Sequence, residues 1–116
     1  MWICLNNAFL SIVSKDCQPD ELLVRARVPG HIEAVFPTAK VKETIGNDYQ
    51  FRAAIKRSDV AEALVQKAES ISYSNFKDSV RIKSLASAYS SVWGVMSRLQ
   101  PVAPYSSRAR RQDNLF

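Results

Sequence analysis

Two cysteines and one histidine are the first residues in this chain to weigh for nucleophilic or metal chemistry. Cys4 and Cys17 stand 13 positions apart, outside any Cys-x-x-Cys pair, and His31 has no histidine neighbour. This spacing signals neither a zinc site nor a disulfide framework, and it suits a reducing, cytoplasmic setting. A cysteine nucleophile needs an electropositive setting and a base to activate it, and nothing near either thiol supplies one in sequence. Asp16, Asp20 and Glu21 cluster in a turn, without the alternating oxygen-ligand spacing of a calcium loop. Gly30, Gly46 and Gly94 are isolated, so no phosphate-binding glycine loop is present. The expectation is a chain with no catalytic residue, metal or cofactor.

The densest mixture of functional side chains is "SYSNFKDSV" at 72–80. Tyr73, Asn75, Phe76, Lys77 and Asp78, with Arg81 beyond, can be a charged polar site. They can equally be a corner between helices. In that case Tyr73 and Phe76, three apart, reach one apolar layer while Asn75 and Asp78 satisfy unpaired helix ends. A small enzyme using this corner requires Lys77, Asp78 and Arg81 to converge on one cleft.

The elements that must position these groups follow from periodicity. "MWICLNNAFLSIVSK" is apolar but interrupted at Asn6-Asn7, lacks an early basic region and is too short to span a bilayer; it reads as strand, not signal peptide. Strands are predicted at 9–15 and 22–28, flanking the turn-forming "DCQPDE". A short helix follows within "PGHIEAVFP", with Ile32, Val35 and Phe36 on one side. Strands at 40–45 and 49–57 are joined by Gly46-Asn47-Asp48, which closes a hairpin. Ser58 is expected to cap a helix whose apolar face is Val60, Leu64, Val65, Ala68 and Ile71. A last helix, about 84–99, carries Leu85, Tyr89, Val92, Met96 and Leu99 in a stripe with Trp93 beside it, and stops before Pro101.

These elements assemble as an α+β fold: an antiparallel sheet of about four to five strands with helices packed on one face, in the order ββ(β)-α-ββ-α-α, ferredoxin-like in the broad sense. A chain of 116 residues, 47% hydrophobic and 23% charged, is expected to make one domain over 1–100 with a basic, flexible tail at 101–116. The tail carries Arg108, Arg110 and Arg111 against Asp113, so +2 of the net charge of +5 lies there.

Strand alternation then yields the main functional expectation. Arg25 and Arg27 point opposite to Val24, Ala26 and Val28; Lys40 and Lys42 opposite to Val41 and Ile45; Arg52 and Lys56 opposite to Phe51, Ala53 and Ile55. With helices on the apolar side, these six cations collect on the other face, a surface suited to phosphates. The plainer reading is a solvated sheet face whose charges also deter edge-to-edge aggregation. Tyr49 and Phe51 are expected to point inward, which leaves Trp2 as the one aromatic to stack on a base and counts against recognition of single-stranded RNA. Separately, Tyr89 and Trp93 can serve a protein partner or a homodimer.

"MWICLNNAFLSIV", "DELLVRARVPGHIEAVFP", "DYQFRAAIKRSDVAEAL", "YSNFKDSV" and "AYSSVWGVM" together resemble a family of small uncharacterised bacterial proteins, often encoded on phages, plasmids and other mobile elements. The resemblance spans about residues 1–99. It implies a bacterial, cytoplasmic origin and brings no activity, cofactor or catalytic residue with it. The combined expectation is a non-enzymatic binding or regulatory protein that contacts nucleic acid or a ribonucleoprotein through the basic face, Arg108, Arg110 and Arg111 assisting. An inhibitor of host defence such as an anti-CRISPR protein is one version, and no membrane association is expected.

Overall fold

The structure is a computed structural model and describes residues 1–105. It is α+β, with five antiparallel strands in the order β1-β2-β3-β5-β4. The chain divides into two compact units, Met1–Arg81 and Ile82 onward.

In the first unit β1 (Trp2–Cys4) pairs with β2 (Phe9–Val13), the chain reversing at Asn6-Asn7, where Leu5 N–H donates to the Ala8 carbonyl at 2.8 Å. β3 (Glu21–Ala26) follows a turn in which Asp16 adopts φ 51°. It occupies the middle of the sheet, between β2 and β5 (Phe51–Lys56). Between them come α1 (His31–Val35), entered through Gly30 at φ 88°, and the two-residue β4 (Lys42–Glu43). Gly30 is where a side chain would be strained, because left-handed backbone crowds a Cβ. β5 runs directly into α2 (Arg57–Glu69), and α3 (Phe76–Ser79) is a single turn.

Strict alternation sends Leu10 and Ile12 of β2, Val24 and Ala26 of β3 and Ala53 of β5 to one face. There they bury against Ile32 and Phe36 of α1 and Val60 of α2. Phe51 and Ile55 join this layer, as the alternation predicts. This burial of apolar surface on one side of the sheet is what fixes the register of the other side.

Several local expectations are corrected. β3 ends at Ala26, so Val28 is 46% exposed, and β4 is too short to orient Ile45, which is 84% exposed. Ser58 is not a cap: Lys56 is the N-cap residue of α2, with no side-chain hydrogen bond there. The buried face of that helix is Val60, Ala63 and Leu64, while Val65 and Ile71 are exposed. The spacing of three and four residues outward from Val60 places Ala63 and Leu64 above the sheet, whereas Val65 lies a further turn of about 100° away.

The second unit contains α4 (Lys83–Ser97). Its Leu85 and Tyr89 are buried, Val92, Val95 and Met96 are exposed, and so is Leu99, which lies beyond its end. Among the described residues no helix is long and apolar enough to cross a membrane.

Candidate nucleic-acid interface

The face of the sheet turned away from α1 and α2 holds the first candidate site. Directly paired residues across antiparallel strands share a face. The register Trp2↔Ser11, Ser11↔Arg25, Arg25↔Arg52, Arg52↔Lys42 therefore lays one row across all five strands. At the usual strand separation this row is about 19 Å long. Its β1 end is aromatic: Trp2 is 69% exposed and meets the Phe9 ring edge-on at 5.9 Å. Its β4 end is cationic.

Within the row the guanidinium groups are held in place. Arg25 Nη2 donates to Ser11 Oγ at 2.7 Å, and Ser11 itself is buried. Tyr49 is buried too, but on this face and not inward: the Arg25 guanidinium carbon lies 4.4 Å from its ring centroid and that of Arg27 4.2 Å. The inward expectation fails because residues 46–49 lie beyond the last rung, Thr44 N–H to the Gln50 carbonyl at 2.8 Å, and turn through Gly46 at φ 100°, so the alternation of β5 does not extend back to Tyr49. The same loop presents Asp48. Its carbonyl accepts from Arg27 Nη1 at 2.6 Å, and its Oδ1 from Arg52 Nη2 at 3.2 Å. Arg52 Nε also donates to the Tyr49 carbonyl at 3.2 Å.

Arg25, Arg27 and Arg52 thus form a clamp on the 48–49 loop, and Arg25 Nε is buried with no hydrogen-bond acceptor. Lys40, Lys42 and Lys56 are exposed; β4 begins at Lys42, so strand alternation does not set the direction of Lys40, whereas Lys56 shares the face of Arg52 and stands opposite Glu21. Arg108, Arg110 and Arg111 lie outside the described residues.

Comparison of the chain with family models, with curated proteins and with solved structures yields no match. The reading of the site therefore rests on its own geometry.

The 72–81 corner is a second candidate site. A cleft of about 650 Å³ is lined by Tyr73, Asn75, Asp78 and Arg81 together with Asn6 and Lys67. Phe76 and Lys77 are not among its lining residues; Phe76 lies against Tyr73, with ring centroids 5.7 Å apart. Lys77, Asp78 and Arg81 thus do not all line the one cleft, the arrangement that the enzyme reading required. Asn75 caps α3, its side chain accepting from Lys77 N–H at 3.0 Å. Lys67 and Asn6, contributed by α2 and the β1–β2 turn, were invisible to a reading along the chain; only the fold brings them to this corner.

The thiols and the histidine have separate roles. His31 is buried, with Nδ1 accepting from Phe9 N–H at 3.1 Å, so it has a partner that the sequence does not announce. Cys17 Sγ donates to the Glu21 carbonyl at 3.5 Å. Partial desolvation raises the Cys4 thiol above its ordinary value, which keeps it protonated and weakly nucleophilic at neutral pH. Both cysteines are free. No group of three metal-ligating side chains occurs among the described residues. The Tyr89 and Trp93 pair separates: Tyr89 is buried, and Trp93 is 42% exposed, stacking on Tyr105 at 6.2 Å.

Proposed function

We propose that this is a non-enzymatic, cytoplasmic binding protein that contacts nucleic acid, free or within a ribonucleoprotein, through the basic sheet face. The observation that carries the reading is the five-strand row Trp2, Ser11, Arg25, Arg52, Lys42. An exposed indole at one end offers a face on which a base can stack, and cations along the row offer the backbone charge neutralisation. Flexible Lys40, Lys42 and Lys56 make the phosphate contacts, while the three arginines keep the surface rigid and positive. A regulatory protein of a mobile element that occupies the nucleic-acid path of a host defence complex, an anti-CRISPR inhibitor for instance, is one form of this activity.

The test is binding of a fluorescent single-stranded oligonucleotide at several salt concentrations. Changing Lys40, Lys42 and Lys56 together to Glu leaves the arginine clamp intact. Loss of three phosphate contacts flattens the slope of log K against log salt by about 2. Trp2→Ala weakens binding by about fivefold, the lower end of what one stacked base contributes. Affinity and slope unchanged in both variants would remove the proposal.

A second reading has its own observation. Val92, Val95 and Met96 recur at three- and four-residue spacing on α4, Leu99 follows just past its end, and all are exposed, the pattern of a helix that meets a protein partner or a second copy of itself.

A further inference from the structure

The cleft beside α3 has no part in the sheet-face reading, and the hydrogen bonds around it determine what it can accept. Asn75 spends its side-chain oxygen on Lys77 N–H, so the group it has left to offer is its NH₂. Ser70 and Ser79 spend their hydroxyl protons on the carbonyls of Lys67 and Phe76, at 3.0 and 2.6 Å, and retain oxygen lone pairs. Lys67 and Arg81 supply two cations against the single carboxylate of Asp78. The lining thus combines cationic donors with neutral oxygen acceptors, in a volume typical of small-molecule sites.

A lining of this polarity does not suit an apolar ligand, which would strand its hydrogen-bonding groups. Inorganic phosphate meets the donors but, through its own P–OH groups alone, reaches few of the acceptors. A small polyol carrying a phosphate ester uses both sets: the ester oxygens meet Arg81, Lys67 and the Asn75 amide, and the hydroxyls donate to Ser70, Ser79 and Asp78. We propose that the cleft is a binding site for a small phosphorylated polyol, separate from the nucleic-acid face.

Amide chemical shifts of the ¹⁵N-labelled full chain would be followed during titration with glycerol 3-phosphate, inorganic phosphate and glycerol. The expected result is saturable shifts at residues 67–81 with glycerol 3-phosphate, weaker ones with phosphate and none with glycerol. Arg81→Gln and Lys67→Gln each reduce the affinity at least fivefold while leaving the sheet resonances in place. Four results would overturn the site: no saturable shift, equal response to phosphate and to the ester, shifts confined to Arg25, Lys42 and Arg52, or affinity unchanged in both variants. The Lys40, Lys42 and Lys56 triple variant should retain the cleft titration, so the two sites fail independently.

Discussion

Phe9 and His31, 22 positions apart, meet through a hydrogen bond in which the strand N–H donates to the imidazole Nδ1 at 3.1 Å. β2 and α1 are thereby joined by a polar link beside Leu10 and Ile32, two fully buried core residues. An N–H left without an acceptor in such a place costs about 1–3 kcal/mol. His31→Ala should therefore lower the unfolding free energy by about 2 kcal/mol in urea titrations. His31→Asn places Oδ1 where Nδ1 stands and should recover at least half of that loss. Equal destabilisation by the two variants would show that ring volume, and not the hydrogen bond, matters at this position.

Tyr49 is the post around which the basic face is built. Removing its ring takes away the surface against which Arg25 and Arg27 lie and leaves a gap under both guanidinium groups. Tyr49→Ala is expected to destabilise the protein by about 3 kcal/mol, the lower end for a buried aromatic. Tyr49→Phe keeps the ring under both guanidinium groups and should stay within about 1 kcal/mol of the original by the same urea measurement. A Phe variant as unstable as the Ala variant would shift the weight from the ring to the hydroxyl.

The contrast between Arg52 and Tyr49 shows what could be read along the chain. Arg25, Arg52 and Lys42 were legible as partners on one face because a strand's period of two is rigid, and burial of Val24, Ala53 and their neighbours leaves that face no alternative. Tyr49 lies three residues from Arg52, in a loop with a left-handed glycine, where parity is lost. Its inward assignment failed there. Ser11 as a buried partner of Arg25 and His31 as an acceptor for Phe9 are products of strand pairing and helix docking, for which local pattern holds no signal. The five antiparallel strands and the helices covering one face were readable; the full length expected for the strand at 40–45 was not, because only Lys42 and Glu43 of it pair with β5.

Cys4 should be a slow thiol. It faces the same side as Trp2 and Phe9, and desolvation raises its pKa, so the reactive thiolate is scarce at neutral pH. Iodoacetamide labelling, followed by peptide mass spectrometry, should proceed more slowly at Cys4 than at a free cysteine at pH 7.5. Its rate should climb about tenfold per pH unit and keep rising beyond the pH where an ordinary thiol levels off. A plateau below pH 8 would mean a lowered pKa and would reopen the nucleophile reading.

The apolar stripe of α4 makes a prediction that competes with the nucleic-acid reading without excluding it. Val92 and Met96 stand four residues apart on successive turns, Leu99 follows three residues later just past the helix end, and Trp93 adds an indole at the margin. Exposed apolar surface of this kind is stabilised by covering it. If the occupant is a second copy, sedimentation equilibrium should give a dimer mass, and Trp93→Glu or Met96→Glu should restore the monomer by burying a charge at the seam. A monomer at every concentration would leave the stripe to a different protein partner. A dimer that survives both changes would place its interface away from α4, and the sheet edge at β4, with a row of backbone groups beyond Lys42 and Glu43, would then be the surface to interrupt.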